Sequence, residues 1–237
     1  MIAALSKTIT LYLSPIMGLT SLLLGLFAFL APSIMLAGKV AMLTVTPSDA
    51  LFPASPSSGG IDGPTLIIGP LGSCSKLNND APLVCLPPSF NPAYDLSVFS
   101  DELPTLPFST PLAGTALFIA ASLVLSVFFL ISFTLITLRH KLPGKFGAVF
   151  EKPAVQRTSA WIGFAGFMIG LTAVLVMRMW WGKVVGDFNL GVIREGDEHK
   201  VIAQTSNAFT MFWVAYAFLG VPLVISMAKL NVQATKA

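Results

Sequence analysis

The chain alternates between long apolar stretches and shorter polar segments. Four stretches contain no Asp, Glu, Lys or Arg, namely 8–38, 103–138, 158–177 and 201–228. Each is as long as the roughly 20 residues that a helix needs to cross a bilayer. An amphipathic surface helix would place charges on one face of such a window. The pattern therefore predicts four transmembrane helices, at about 10–37, 111–138, 158–181 and 204–229.

The polar segments between these helices differ in charge, and the difference predicts their sides of the membrane. The segment 139–157 carries five basic residues against Glu151 alone. Short loops rich in Lys and Arg stay in the cytoplasm. The segment 38–110 has two basic and six acidic residues, and 182–203 is mixed, so both are predicted to lie outside. The expectation is a multi-pass membrane protein with both termini in the cytoplasm, the first span acting as a signal anchor and a short inner tail at 230–237.

The amino-acid composition agrees with that of a membrane protein. The chain of 237 residues is 54% hydrophobic and 11% charged, with a mean hydropathy of +0.80. Soluble domains are about 25% charged. The net charge of +3 does not indicate nucleic-acid binding, because the basic residues flank apolar spans and form no soluble basic face. The predicted fold is an all-α four-transmembrane-helix bundle forming a single domain over 1–237.

The two cysteines of the chain, Cys74 and Cys85, lie eleven positions apart in the predicted outer segment. An oxidising environment lets a disulfide persist there, and a pair of Cys is short of the three or four ligands of a metal site. A disulfide is the favoured interpretation, with free thiols and metal binding as alternatives. No metal is predicted.

The outer segment contains 11 of the 17 prolines and a turn-rich, low-complexity part, "PSDALFPASPSSGGIDGP". Short runs of β-prone residues flank it: "KVAMLTVT", "TLIIG" and "PLVCL". We expect a small sheet at the outer membrane surface, with the cysteines joining adjacent strands or a strand and its turn. The alternative is a mostly irregular loop draped on the helix ends.

Small residues recur at alternating steps of four and three in the first and third spans. In lipid, close backbone approach through small residues drives helix association. These stripes are predicted to pack inside the bundle, or alternatively against another protein. The helix-packing residues are Ser14, Gly18, Ser21, Gly25 and Ala28 in the first span, and Ser159, Gly163, Gly166, Gly170 and Ala173 in the third.

Basic residues near the span ends are predicted to contact lipid headgroups. Arg178 is expected to extend along its helix to reach them. The alternative for Arg178 is a specific contact with a lipid or a protein partner. Trp161, Trp180 and Trp181 lie where an aromatic belt is expected. The predicted headgroup residues are Arg139, Lys141, Lys145, Lys152, Arg157 and Arg178.

The spans contain no Asp, Glu, Lys, Arg or His in their interior, and coupled carriers usually need such a residue there. Motifs for redox relays, metalloproteases, phosphate-binding loops and serine hydrolases do not occur in the chain. His140 and His199 fall in segments predicted on opposite sides. The sequence therefore predicts neither an enzyme nor a cofactor.

Four spans, a long first outer segment with a closely spaced cysteine pair, a basic inner loop and inner termini resemble the claudin-like superfamily. More closely, "GPLGSC" with Cys74 and Cys85, and the passage "FEKPAVQRTSAWIGFAGFMIGL", resemble the fungal Sur7/PalI family of plasma-membrane proteins. The resemblance implies a role in organising membrane domains, the cell cortex and cell-wall integrity.

Three functions follow as hypotheses. The first is a structural tetraspan protein that assembles laterally with membrane proteins and lipids, as a homo-oligomer or in a larger complex. The second is an accessory subunit of a larger membrane machine, such as a pump or a polysaccharide synthase. The third, which the empty span interiors disfavour, is a small channel or transporter.

Overall fold

The computed structural model of the chain describes residues 12–47, 63–95, 97–99, 114–141, 143, 145–194 and 201–234. One helix is followed by four strands, three helices, a fifth strand and a last helix in this part of the chain. The helices are α1 (Ser14–Leu30), α2 (Thr115–Thr137), α3 (Lys145–Glu151), α4 (Pro153–Arg194) and α5 (Ala208–Ala234). The strands are β1 (Leu43–Pro47), β2 (Thr65–Ile68), β3 (Ser73–Lys76), β4 (Val84–Cys85) and β5 (Val201–Thr205).

The chain divides into two compact units. The helical unit consists of 1–26, 118–173 and 211–237, and the sheet unit consists of 27–117 and 174–210. Aromatic residues of α2 and α5, among them Phe129, Phe133 and Phe212, are buried in the helical unit. The apolar side chains of β1 and β2 form the buried centre of the sheet unit.

Three helices among the described residues are long and apolar enough to cross a membrane: α2, α4 and α5, the last over Ala208–Leu230. α1 is apolar but has 17 described residues. The predicted start of the first span, from about residue 10, lies partly outside the described residues. The chain is therefore a mostly helical membrane protein with at least these candidate spans.

The first predicted span extends to 37, but α1 ends at Leu30. Pro32 explains the end, because a proline ring clashes with the carbonyl four residues earlier and has no N–H to donate. Turns follow, with positive φ angles of 54° at Leu36 and 75° at Gly38. The fourth span, predicted at 204–229 before a tail, begins at Ala208 and its helix continues to Ala234.

α4 differs most from the prediction. Its 42 residues run from Pro153, inside the predicted inner loop 139–157, to Arg194, inside the predicted outer segment 182–203. The C-terminal extension carries an apolar stripe at steps of three and four, in which Trp181, Val184, Phe188 and Val192 are buried. Burial of this stripe in the sheet unit favours continued helix over a loop.

The five strands form one antiparallel sheet in the order β4-β3-β2-β1-β5. Three of the strands, β1, β2 and β4, fall on the runs that the sequence predicted. β5 comes from the second predicted outer segment and pairs with β1 through Val45 opposite Ala203. Its burial alternates, with Val201 and Ala203 inside and Ile202 outside, which is the two-residue period of a half-buried strand.

Candidate functional site

The cysteines join the two strands at one end of the sheet. Cys74 of β3 lies directly opposite Cys85 of β4, with 4.0 Å between the Cα atoms, and the two are disulfide-bonded. The tight turn Gly69–Gly72, closed by a 2.9 Å hydrogen bond from the Gly69 N–H to the Gly72 carbonyl, leads into β3. The predictions of a sheet and of a disulfide between adjacent strands are confirmed.

β3 is a polar strand that a following segment supports. The Ser73 hydroxyl accepts a 3.1 Å hydrogen bond from the Asp95 N–H, and the Ser75 hydroxyl donates one of 3.3 Å to the Asp95 carboxylate. The Ser97 hydroxyl donates another, of 2.5 Å. These bonds, that of Ser97 foremost, lower the pKa of Asp95 against the opposing effect of burial. The charged carboxylate therefore fastens the segment around residues 95–97 to the sheet.

Two asparagine side chains form hydrogen bonds at the β5 edge of the sheet and beside it. Asn189 of α4 donates to the Ala203 carbonyl and accepts from the Ala203 N–H, both at 3.0 Å. Asn207 accepts from the Ala41 N–H at 3.1 Å and donates to the Lys39 carbonyl at 2.8 Å. Both amides pair with backbone as a neighbouring strand would, so they order the edge of the sheet and the start of α5.

The predicted aromatic belt needs one correction. Trp181 is only 1% exposed, and its ring meets the edge of the Tyr94 ring at 5.7 Å between centroids. It is thus part of the sheet unit's interior and does not face lipid. Burial raises the pKa of Tyr94 well above its usual range. Trp161, by contrast, is 55% exposed.

A groove of about 700 Å³ lies along the sheet. Threonines of β1 and β2, together with Lys76 and Asn79, supply its polar lining, and Ile67 and Leu83 supply apolar surface. The Lys76 ammonium donates a 3.3 Å hydrogen bond to the Asn79 side chain. Among the described residues, no three His, Cys, Asp or Glu side chains cluster as metal ligands would.

All ten predicted packing residues are buried. On α1, a Cβ added to Gly18 would lie 2.9 Å from Leu130 of α2, and one added to Gly25 would lie 3.1 Å from Leu123. The predicted stripe of α1 therefore faces α2 in the helical unit. Gly18 would also meet Pro222 of α5, at 3.7 Å.

The stripe on α4 also faces α2, on another side of that helix. A Cβ on Gly163 would meet the Phe129 ring at 2.5–2.8 Å, and one on Gly166 would lie 2.9 Å from Leu125. One on Gly170 would collide with both Ser122 and Tyr216. α2 is thus the shared neighbour of both stripes, and we find no glycine of α4 whose nearest side chain belongs to α1.

Hydroxyl groups connect the same helices. Ser122 of α2 donates a 2.7 Å hydrogen bond to the Gly166 carbonyl of α4 and lies 3.4 Å from the Tyr216 hydroxyl of α5. The Ser132 and Ser159 hydroxyls are 2.6 Å apart. Such bonds are favourable where no water competes for the polar groups. Because Gly166 has no Cβ, α2 can approach closely enough for the hydrogen bond from Ser122 to the Gly166 carbonyl.

The predicted headgroup residues do not form one group. Arg139 and Lys141 occupy a single turn after α2, and Arg139 is partly buried. Lys141, Lys152 and Arg157 are exposed. The side chain of Lys145 lies outside the described residues. Arg178 packs its guanidinium over the Phe209 ring at 5.4 Å, within the sheet unit.

Three side chains with evident roles were not singled out from the sequence. Asn189 and Asn207 stand close to other polar residues, Asp187 and Ser206, whereas Lys229 is the single charge near the end of α5. Only Lys229 offered a signal, since an isolated charge in an apolar stretch needs a partner. The partner itself could come only from the fold.

Comparison with known proteins gives no assignment: no family model, curated protein or solved structure matches the chain.

Proposed function

We propose that the chain is a four-span plasma-membrane protein, similar to the Sur7/PalI family, that organises membrane domains through lateral assembly. α1 serves as the first span and α2, α4 and α5 as the others. Both termini lie in the cytoplasm, and the sheet lies outside.

The pairing of β1 with β5 supports this topology. β1 precedes α2 and β5 follows α4, yet five residue pairs join them in one sheet. Two segments hydrogen-bonded to each other must lie on the same side of a bilayer. An even number of crossings therefore separates them, and α2 and α4 supply two. The basic turn between these helices then lies on the opposite side, as the charge rule expects.

The exposed face of α2 is the observation that carries lateral assembly. The glycines of both small-residue stripes pack against α2 inside the helical unit. On its remaining face, α2 leaves Val124, Phe128 and Ile131 at least half exposed. Their steps of four and three are those of a helix-packing seam. We assign this face to a second copy of the chain, which would present the same seam.

Purification in a mild detergent with a mass measurement tests the proposal. A homo-oligomer is expected, and Phe128→Ala with Ile131→Ala should shift it toward monomer. Met168→Ala is the matched control, because Met168 is an exposed apolar residue of α4. A fixed ratio to one larger protein would instead support the accessory-subunit hypothesis. A monomer that the variants do not change would contradict lateral assembly through this face.

A further inference from the structure

The helical unit carries a strong excess of positive charge. Its one acidic residue in the sequence is Glu151. The sheet unit holds the other ten acidic residues of the chain, with six basic ones. The basic residues of the helical unit are Lys7, Arg139, Lys141, Lys145, Lys152, Arg157, Lys229 and Lys236.

Three of these cations lie near the ends of apolar helices. Arg139 and Lys141 lie on the turn after α2, and Lys229 lies in the last part of α5. Lys229 lies over Phe133 of α2, and Arg139 follows the end of the same helix at Thr137, so both cations belong to the C-terminal part of α2. The ammonium groups rest over aromatic rings, Lys141 at 5.9 Å from the Tyr12 centroid and Lys229 at 6.0 Å from that of Phe133.

The protein provides little to balance this charge. Aromatic faces attract cations but leave the net charge unchanged. The Glu151 carboxylate stands 4.0 Å from the Arg139 Nε, and its side chain is 63% exposed. The Nε atom itself is buried and has no hydrogen-bond partner within the described parts of the chain. An anion bound at the accessible face of this turn would balance the remaining positive charge.

We propose that Arg139, Lys141 and Lys229 form a binding site for the phosphate group of an anionic phospholipid. Arg binds phosphate through paired N–H donors, and Lys acts as a point charge. Lys141 lies over Tyr12, and the apolar side chains that follow Tyr12 in the chain are exposed, Leu13 at 47% and Ile16 at 59%. They favour a ligand with hydrocarbon tails over a free anion. The site rests on the proposed membrane embedding but not on lateral assembly.

The test is native mass spectrometry of the full chain in mild detergent, titrated with phosphatidylserine or phosphatidylcholine. Wild type should retain phosphatidylserine in preference to phosphatidylcholine. Arg139→Gln with Lys229→Gln should weaken that binding at least roughly tenfold, since each basic group near a membrane surface contributes about fivefold. Lys229→Arg, which keeps the positive charge, should retain most of the phosphatidylserine binding of the wild type.

A matched pair removes the same charge elsewhere. Lys183→Gln with Arg194→Gln changes two exposed cations of α4 in the sheet unit and should leave the retained lipid in place. Equal loss in both pairs, or no preference for phosphatidylserine in wild type, would overturn the proposal. Full competition by inorganic phosphate would assign the site to a free anion. The same spectra report the oligomeric state, so a failure of lateral assembly is separately visible.

Discussion

The side-chain amide of Asn189 pairs with both backbone groups of Ala203, at 3.0 Å each. Ala203 lies in β5, whose other edge pairs with β1. One side chain from α4 thus occupies the place of a sixth strand and satisfies groups that an edge strand leaves open. The arrangement fastens the second predicted outer segment to the sheet.

Replacing Asn189 with Leu should loosen β5. Two hydrogen bonds are lost and the Ala203 groups stay partly buried, so we expect a cost of about 1–3 kcal/mol. Amide hydrogen exchange in detergent should speed up over residues 201–205. Asp187→Asn, an exposed position on the same helix, is the control and should leave the exchange unchanged. Unchanged exchange in Asn189→Leu would contradict the role of the amide.

The disulfide should stabilise the sheet locally. Closing a loop of this length contributes about 2.5–3 kcal/mol by the chain-entropy estimate. Cys74→Ser should therefore loosen β3 and β4 while the helices stay inserted, because they satisfy their own backbone groups. Thiol labelling of the denatured wild-type chain without reductant should find no reactive cysteine. Quantitative labelling of both cysteines would disprove the bond.

Substitutions of glycine in the helical unit should change stability according to the space around each glycine. Gly163→Ala should destabilise by roughly 1–3 kcal/mol, because the added Cβ overpacks against Phe129. Gly166→Leu should do so more strongly and lower expression. Gly220→Ala is the matched control on α5, where a Cβ meets nothing within 4 Å, and it should gain up to about 1 kcal/mol of helix propensity. Thermal unfolding in detergent compares them, and equal effects would refute the packing account.

Acid should release the segment around Asp95 from β3. The pKa of Asp95 is lowered in the folded chain, so its stabilisation is complete above the ordinary value of 3.8. It is lost as the pH falls through the folded-state value. The protection of the Asp95 and Ser97 amides against hydrogen exchange, corrected for the intrinsic pH dependence of exchange, should fall over that acidic window. Asp95→Asn should show the lower protection already at neutral pH, and a wild type whose protection does not change with pH would contradict the role of the carboxylate.

Sequence patterns predicted the apolar helices and the disulfide because both depend on local features. The predicted span 111–138 contains α2 and ends one residue beyond it, although the helix begins four residues later than predicted. The placement of Cys74 and Cys85 was sufficient to indicate their bond. The prediction ended α4 near 181 because the charges of Lys183 and Asp187 resemble those of a loop. The buried stripe of Val184, Phe188 and Val192 was the opposing signal.

The sequence did not predict which strands pair or which helices become neighbours. β3, "SCSK", contains no β-branched or aromatic residue, and its pairing with β2 compensates for weak strand propensity. The stripes on α1 and α4 predicted close helix contacts, but α2, which has no glycine in its span, became their common neighbour. Lys229 gained significance only once α5 placed it near Arg139.

Topology mapping tests the central claim most directly. The same cassette bearing an Asn-x-Ser/Thr sequon is inserted near Ser57, near Glu198 and near Pro143, in three separate variants. The account predicts glycosylation at the first two positions, because the β1–β5 pairing puts both segments on one side, and none at the third. Modification near Pro143 alone, or at one of the two sheet-bearing segments but not the other, would contradict the four-span arrangement.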